Sequence, residues 1–170
     1  RALTAGKGVV TANKELVATH GQELMELAFR HGCGYYYEAS VGGGVPIIRP
    51  LRQCLTADRV TGVWGILNGT TNYILTRMIR GGLSFDAALA EAQEKGYAEA
   101  DPTADIEGID TCRKVCILAS LAFGRHIFPH QVPTRGITGV TLTDVACARK
   151  AGCQIKLLGR TLEGEDGRVR

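Results

Sequence analysis

The sequence predicts an α/β or α+β protein in which helices cover a single β-sheet. Its 170 residues, 45% apolar and 22% charged, provide enough chain and enough apolar side chain for one buried core. Segments typical of strands and of helices alternate along it, and only residues 96–107 and 124–140 are long stretches without either pattern. Glycine, with 22 residues, is nearly twice as frequent as in an average protein. Many of these glycines stand where one segment ends and the next begins.

The first third of the chain has the pattern of two short strands separated by a helix. Val9 and Val10 form a short apolar run, and leucines at helical spacing follow from Leu16 until Gly32 interrupts them. Pro46 is suited to the first turn of a helix. The elements predicted here are the tail of a helix that ends at Gly6, a strand at 9–10, a helix at 15–31, a strand at 35–39, a glycine turn at 40–46 and a helix at 46–55.

Helices dominate the rest of the chain. The β-branched run around Trp64 indicates a strand, and Asn68 with Gly69 predicts a turn into the next helix. Gly82 ends that helix, and Ser84 is a suitable cap for the one that follows. The elements predicted here are a strand at 59–67, helices at 72–80, 85–95, 109–123 and 141–151, and a strand at 154–160 followed by a turn at 163–167.

Charge, apolar runs and cysteines argue against several classes of protein. Twenty basic and seventeen acidic residues leave a net charge of +3 without a basic stripe, which argues against nucleic-acid binding. The apolar runs are short and no signal leader opens the chain, so we expect a cytoplasmic protein without a membrane span. The six cysteines form no C-x-x-C pair, and we expect them to be reduced and to serve as small buried apolar residues.

An acidic segment before the helix at 109–123 is the first candidate site. It carries five carboxylates, which are Glu99, Asp101, Asp105, Glu107 and Asp110. Such a cluster needs a cation, an ammonium group or solvent to separate its like charges. Asp110 and Lys114 are four residues apart and therefore lie on one face of the helix. Two interpretations stay open: a solvated helix entry with a surface ion pair, or a pocket that binds the ammonium group of an amino acid while Lys114 acts as a general acid or base.

Three further motifs are weaker candidates. The turn at 67–72 presents backbone N–H groups at a helix start, where an anion such as a substrate carboxylate binds favourably. The run Glu-Ala-Ser-Val-Gly-Gly-Gly-Val-Pro at 38–46 is either a plain tight turn or a loop whose carbonyl groups surround a monovalent cation. Lys14 follows a short strand, at the edge where α/β sheets bind ligands. Neither a G-x-G-x-x-G nor a P-loop pattern occurs in the chain.

Four of these motifs occur in a fixed order along the chain. They are Val-Val-Thr-Ala-Asn-Lys at 9–14, Glu-Ala-Ser-Val-Gly-Gly-Gly-Val-Pro-Ile-Ile at 38–48, Gly-Ile-Leu-Asn-Gly-Thr-Thr-Asn-Tyr-Ile-Leu at 65–75, and the acidic segment from Gly96 to Lys114. Together they resemble the homoserine dehydrogenase family, and the resemblance covers nearly the whole chain. It implies an NAD(P)-dependent oxidoreductase that interconverts L-homoserine and L-aspartate 4-semialdehyde by hydride transfer, in threonine and methionine biosynthesis.

The resemblance also implies roles for individual residues. Lys114 corresponds to the catalytic acid/base of the family, and Asp110 to the residue that holds the reacting end of the substrate beside it. The substrate-binding residues that it implies are Glu99, Tyr97, Asp105, Gly69 and Thr70. Lys14 is similar to a cofactor contact on the nicotinamide side of the cleft. The cation site that it implies, expected to hold Na⁺, consists of Glu38 with the carbonyl groups of Val41, Gly43 and Val45.

The resemblance further predicts how the chain is organised. Residues 1–14 would end a dinucleotide-binding Rossmann domain, and residues 15–170 would form a substrate-binding, catalytic and dimerisation domain that is incomplete at its C-terminus. Because the Rossmann fingerprint is absent, we expect these 170 residues alone to have little or no dehydrogenase activity. The implied partners are the small-molecule substrate and further copies of the chain, in a homodimer or homotetramer, and neither nucleic acid nor a membrane.

Two alternatives to this function stay open. An aldehyde dehydrogenase that works through a thiolate needs a cysteine at a helix start beside a base, and no cysteine of this sequence has that position. The second alternative is a non-catalytic dimerisation or regulatory part of a bifunctional aspartokinase–homoserine dehydrogenase, with which the chain is compatible.

Overall fold

Two compact units make up the chain, and each is built from separate stretches of sequence. The computed structural model describes all 170 residues, Arg1–Arg170. The first unit comprises Arg1–Trp64, Arg113–Val132 and Arg160–Arg170, and the second comprises Gly65–Cys112 and Pro133–Gly159.

Helices and short strands form the regular structure. The helices are α1 (Lys14–Arg30), α2 (Gly69–Gly81), α3 (Phe85–Glu94), α4 (Thr103–Ile106), α5 (Ile109–Phe123) and α6 (Leu142–Lys150). The strands are β1 (Val9–Val10), β2 (Tyr35–Tyr36), β3 (Gly62–Gly65) and β4 (Gly159–Leu162). None of the helices is both long enough and apolar enough to cross a membrane. The α/β class that the sequence predicts is confirmed.

The first unit begins with a parallel β–α–β arrangement. Strands β1 and β2 pair in parallel, with Val9 opposite Tyr35 and Val10 opposite Tyr36. Helix α1 connects them, and the Asn13 side chain caps the start of this helix by accepting a backbone N–H at 3.0 Å. Two parallel strands need such a crossover connection, because a short turn can join only antiparallel strands.

Strand β4 continues into a hairpin at the end of the chain. Leu162 and Arg170 exchange two backbone hydrogen bonds of 2.8 Å, and the Glu163 backbone N–H donates to the Thr61 carbonyl oxygen at 2.9 Å. The turn predicted at 163–167 is therefore present, and it is followed by the start of a partner segment.

The second unit is a helical cluster built on the buried face of α2. Ile74, Leu75 and Met78 lie on that face at helical spacing, and each is at most 1% exposed. They belong to one buried cluster with Ala88 and Ala92, whose small side chains lie on α3. Burial contributes about 1.5–3 kcal/mol for each large apolar side chain, so this cluster holds α2, which carries Gly69 and Thr70, against α3.

The strands differ most from the sequence prediction. The prediction of a single sheet is wrong, because the strands form two separate two-stranded sheets. The strand predicted at 35–39 ends at Tyr36, since a 3-10 turn follows at Glu38–Ser40. The strands predicted at 59–67 and 154–160 are present only within β3 and at the first residues of β4. Their β-branched residues favour extended backbone, but a strand forms only where a partner strand lies within hydrogen-bonding distance.

The helices agree better with the prediction. Helix α5 has the predicted bounds, and α3 begins after the Ser84 cap as expected. Helix α2 begins at Gly69 rather than at Asn72, because the residue before Gly69 already caps it. The helix predicted at 46–55 is present from residue 48 to residue 54, and its part at Pro50–Cys54 is π-helical. Pro46 lies two residues before this helix instead of in its first turn.

The cysteines form no disulfide, and they differ in burial. All six are free thiols, as expected. Cys112 and Cys116 are buried within α5, whereas Cys54, Cys147 and Cys153 are exposed. The prediction of buried apolar cysteines is therefore wrong for the exposed three, because apolar neighbours in sequence do not place a residue on the buried face.

Candidate active site

Asn68 links two of the predicted site carboxylates. Its side-chain amide nitrogen donates to Asp105 Oδ1 at 2.6 Å and to Asp110 Oδ2 at 2.9 Å. Its side-chain oxygen accepts the backbone N–H and the hydroxyl group of Thr71, each at 2.8 Å. The asparagine is 5% exposed, and both of its amide hydrogens are used. One buried amide group at the start of α2 thus binds both carboxylates.

A tight connection between α4 and α5 brings the two carboxylates together. Asp105 lies in the single turn of α4, and Asp110, which is 3% exposed, lies in the first turn of α5. Gly108 between them has a φ of +81°, a conformation that favours glycine. The backbone N–H of Ile137, in the segment before α6, donates to the Ile106 carbonyl oxygen at 2.8 Å and so stabilises this connection.

Lys114 lies one helical turn after Asp110 on α5. Side chains four residues apart share a face of a helix, so the lysine and the buried carboxylate lie on the same side of α5. Lys114 is half-buried. Its neighbour Arg113 forms an ion pair with Glu15, with 2.9 Å between Nη2 and Oε1. The burial of Asp110 contradicts the simpler of the two interpretations, in which this residue forms a surface ion pair at a solvated helix entry.

Residues 95–102, between α3 and α4, form a loop that we call the Tyr97 loop. It contacts α2 and carries two predicted substrate-binding residues, Tyr97 and Glu99. The Thr70 hydroxyl group donates to the Tyr97 carbonyl oxygen at 2.8 Å, and the rings of Tyr73 and Tyr97 lie 4.8 Å apart between centroids. Tyr97 stays 57% exposed, so part of its ring is accessible to a ligand. Glu99 is exposed as well, and its carboxylate has no hydrogen bond or ion pair with the rest of the chain.

Glu91 supports the Tyr97 loop through Tyr73. Its Oε1 atom accepts the Tyr73 hydroxyl at 2.7 Å and also the Lys95 ammonium group, and its Oε2 atom accepts Arg77 Nε at 2.9 Å. The hydrogen bonds from Lys95, Tyr73 and Arg77 lower the pKa of Glu91 to about 2. The same contact with Glu91 raises the pKa of Lys95 above its ordinary value.

We expect Glu91→Gln to make the protein less sensitive to acid. A carboxyl group with a lowered pKa in the folded state stabilises the fold above its unfolded pKa, and this stabilisation is lost as the pH falls through the folded pKa. For Glu91 the loss extends from the ordinary value of 4.5 down to about 2. The melting temperature, measured between about pH 6 and pH 2.5, should therefore fall less steeply in Glu91→Gln than in the unaltered protein. Glu94→Gln, which changes an exposed residue of α3, is the control, and coinciding curves for Glu91→Gln and the unaltered protein would contradict this expectation.

The Glu38 carboxylate holds the segment that follows the glycine turn. Its Oε1 atom accepts the backbone N–H groups of Ile47 at 2.9 Å and Ile48 at 3.0 Å, and its Oε2 atom accepts that of Arg49 at 2.8 Å. Such N–H groups at the start of a helical turn are unsatisfied by the turn itself and bind a negative charge. Both carboxylate oxygens of Glu38 are therefore already engaged by the protein.

The glycine turn itself has the backbone conformation of a tight, carbonyl-rich loop. Gly42 and Gly43 have φ values of +80° and +57°, which favour glycine. A Cβ atom at Gly42 would lie 2.9 Å from the Val45 carbonyl oxygen, so the loop folds closely back on itself. No backbone hydrogen bond outside the helices and strands ends on the carbonyl oxygens of Val41, Gly43 or Val45. No three His, Cys, Asp or Glu side chains are grouped as metal ligands in the chain, so a cation here would depend on carbonyl groups.

The two remaining predicted residues each begin a helix. Lys14 is the first residue of α1, directly after the Asn13 cap, and it is half-buried. Gly69 is the exposed first residue of α2, and a Cβ atom there would meet nothing within 4 Å. Backbone N–H groups at such a helix start are available to an anion.

Within the second unit the structure brings together the two aspartates through Asn68, and Thr70 with Tyr97. Asn68, Tyr73 and Glu91 support these residues, and none of these three side chains is among the predicted catalytic or binding residues. An asparagine directly before a helix is a recognisable cap, but nothing in the sequence shows that its amide group meets two distant carboxylates. The spacing of Glu91 and Lys95 predicts their ion pair but not the contact with Tyr73.

Comparison with known proteins assigns the chain to a family. Residues 46–170 match the homoserine dehydrogenase family. The homoserine dehydrogenase of Lactococcus lactis subsp. lactis is 46% identical over 167 residues, which are 98% of this chain and 39% of the relative. That of Mycobacterium tuberculosis is 52% identical over 157 residues, which are 92% of this chain and 36% of the relative. The chain thus spans less than two fifths of the length of these relatives.

Solved structures give the same assignment. The crystal structure of a homoserine dehydrogenase from Thiobacillus denitrificans matches with a TM-score of 0.94 and 49% identity, over 96% of this chain and 38% of that one. A hyperthermophilic archaeal homoserine dehydrogenase in complex with NADPH matches with a TM-score of 0.83 and 32% identity, over 99% of this chain and 48% of that one. The fold and the sequence agree over nearly every residue, and the chain therefore belongs to the homoserine dehydrogenase family.

Proposed function

We propose that this chain is the substrate-binding and catalytic part of an NAD(P)-dependent enzyme that interconverts L-homoserine and L-aspartate 4-semialdehyde, a reaction of threonine and methionine biosynthesis. The observation that carries this proposal is the Asn68-linked pair of Asp105 and Asp110. Asp110 lies one helical turn before Lys114 on α5. Membership of the homoserine dehydrogenase family supports the substrate. The archaeal relative in complex with NADPH supports a nicotinamide cofactor.

The exposed groups of the second unit are suited to bind the amino-acid end of the substrate. The Glu99 carboxylate has no partner in the chain and is the proposed ligand of the substrate ammonium group. Tyr97 and Asp105 are proposed to line the same pocket. Gly69 and Thr70 lie at the start of α2, where backbone N–H groups can bind the substrate carboxylate.

Lys114 is proposed to move the proton of the reaction. During oxidation its amine accepts the hydroxyl proton of homoserine, and in the reverse direction its ammonium group donates that proton to the aldehyde oxygen. Asp110, one turn earlier on the same face of α5, is proposed to hold the reacting end of the substrate beside Lys114. The nicotinamide cofactor, when bound, supplies or accepts the hydride.

The chain holds only part of what a dinucleotide needs. Lys14, at the first position of α1, is the proposed contact on the nicotinamide side. We also propose that residues 1–14 end a dinucleotide-binding domain, which the parallel β1–α1–β2 arrangement supports. The G-x-G-x-x-G pattern is absent from these residues, so by themselves they do not fit a complete dinucleotide site. The remaining residues, 15–170, are the proposed substrate-binding and dimerisation domain.

A monovalent cation, expected to be Na⁺, is proposed at the glycine turn. Its proposed ligands are Glu38 and the carbonyl groups of Val41, Gly43 and Val45. The left-handed glycines and the carbonyl groups without backbone partners support this proposal, since hard cations prefer oxygen ligands. The three N–H groups that Glu38 binds hold the turn in shape.

One assay tests these proposals on the full-length protein that contains these residues. We expect reduction of NAD⁺ or NADP⁺ that depends on L-homoserine, followed by the absorbance of the reduced cofactor. Glu99→Gln should raise the KM for L-homoserine by about 10–100-fold, because the substrate ammonium group loses a charged partner. Glu94→Gln, an exposed glutamate on α3, should leave KM unchanged. No homoserine-dependent reduction by the unaltered protein would refute the function, and equal rates in sodium, potassium and choline salts would refute the cation.

A further inference from the structure

We propose that Asn68 is a positioning residue for the reaction, because its amide group fixes Asp105 and Asp110 relative to each other at the start of α5. The inference rests on the proposed function of these two aspartates. It gives the Asn68 side chain a role within the turn at 67–72 and a reason why that residue is an asparagine.

The orientation of the Asn68 amide follows from its neighbours. The backbone N–H of Thr71 can only donate, so the oxygen of the Asn68 side chain must face it, and that distance is 2.8 Å. The NH₂ group then necessarily points to the opposite side, where Asp105 and Asp110 accept one hydrogen bond each. The amide therefore cannot rotate by half a turn without losing all of these bonds.

Capping of α2 alone does not require an asparagine. Serine and aspartate cap helices about as well, as Ser84 does at the start of α3. A serine, however, has only one hydroxyl hydrogen, and an aspartate has none when ionised. Among the good capping residues, only asparagine combines the acceptor that α2 needs with two donors for two separate carboxylates. The two carboxylates, and not the cap of α2, therefore require an asparagine at this position.

The Asn68 amide donates one hydrogen bond to the Asp110 carboxylate and so helps to orient it. Asp110 is 3% exposed, so its carboxylate depends on partners within the protein rather than on bulk water. Without Asn68 the two aspartates would lose the donor that joins them, and their like charges would favour a rotation of the carboxylates away from each other. Because Asp110 is the proposed holder of the reacting end of the substrate, such a rotation should reduce kcat more than it raises KM.

Further charged residues lie close to the pair in sequence or beside its connection. They are Asp101 and Glu107 on the same segment, Arg113 and Lys114 later on α5, and Arg135, whose carbonyl oxygen lies beside Gly108. The Thr103 backbone N–H donates to Asp101, and the hydrogen bonds from Thr103 lower the pKa of this aspartate. Arg113 pairs with Glu15. Asn68, which caps α2, and Thr71 in the first turn of that helix are uncharged.

Two substitutions at Asn68 separate capping from positioning in the full-length protein. Asn68→Ser keeps a cap for α2 but removes both donors to the carboxylates. It should lower kcat for L-homoserine oxidation by about 10–100-fold, the usual effect of a lost hydrogen bond to a charged group. Ser84→Ala is the control, because it removes the cap of α3 and should leave kcat unchanged.

Asn68→Asp places a third carboxylate beside the first two. Three such groups cannot all be ionised so close together, so the folded protein should hold an additional proton at neutral pH. A carboxyl group whose pKa is raised by folding stabilises the fold only at low pH, and this contribution is lost as the pH rises through its folded pKa. The melting temperature of Asn68→Asp should therefore fall further below that of the unaltered protein between about pH 5 and pH 8.

The kcat of Asn68→Ser tests the effect of Asn68 on the reaction, and the melting curves of Asn68→Asp test its contact with the two carboxylates. A lowered kcat in Asn68→Ser together with the pH-dependent melting of Asn68→Asp supports the proposal. Unaltered kcat in Asn68→Ser, or melting curves of Asn68→Asp that run parallel to those of the unaltered protein at all pH values, overturns it. If the unaltered protein does not oxidise homoserine, the proposed function fails, whereas the melting curves still decide whether Asn68 holds the carboxylate pair.

Discussion

Lys114→Ala in the full-length protein is expected to lower kcat for L-homoserine oxidation by about 10²–10⁴-fold, the usual contribution of a general acid or base. The alanine leaves α5 intact because alanine is the best helix former, so the melting temperature should change little. The hydroxyl proton of homoserine would then have to leave to water. Steady-state kinetics over a range of pH, together with thermal melting, measure both quantities.

Two further variants, Lys114→Arg and Lys150→Ala, test whether the loss of activity comes from the loss of proton transfer by Lys114. Lys114→Arg keeps the positive charge but cannot release its proton near neutral pH, so it should be almost as slow as Lys114→Ala. Added small primary amines should partly restore the activity of Lys114→Ala, since they can accept the same proton. Lys150→Ala, at an exposed lysine of α6, should have the kcat of the unaltered protein. A decrease of only a few-fold in Lys114→Ala would refute the acid/base role.

Gly136→Ala is expected to be among the most destabilising single substitutions in this chain. A Cβ atom at this position would lie 2.1 Å from the Ile106 carbonyl oxygen and 2.5 Å from Glu107 Cα. Both atoms belong to the backbone, so no side-chain rotation can relieve the overlap. The connection between α4 and α5 must move, at a cost of about 3 kcal/mol. Because this connection carries Asp105 and Asp110 at its ends, kcat should fall together with the melting temperature.

Gly139→Ala is the matched control for Gly136→Ala. It lies three residues later, and an added Cβ atom there would meet nothing within 4 Å. Its φ is not in the left-handed region, so alanine is not strained at this position. The melting temperature and kcat of Gly139→Ala should both be close to those of the unaltered protein. Equal melting temperatures for Gly136→Ala and Gly139→Ala would contradict the close approach at Gly136.

The site could be predicted in part because its residues are close in sequence. Asp110 and Lys114 lie on one face of a helix by their spacing alone, and α5 has the predicted bounds. The Tyr97 loop and Asp105 precede that helix directly. Thr70 and Tyr97, in contrast, are far apart in the chain and meet through a hydrogen bond that no local pattern predicts. The resemblance to homoserine dehydrogenase named both residues but not their contact.

The sequence by itself determined most of the helices, the Ser84 cap and the family, because helical spacing, capping residues and ordered motifs are local properties of the chain. Only the tertiary structure decided which strands pair, since a two-residue strand such as β2 exists only beside its partner. It also decided that Asp110 is buried and that Asn68 joins this carboxylate to Asp105. Burial and contacts between distant residues depend on how the whole chain packs, and for this reason the supporting residues of the site became visible only in the folded protein.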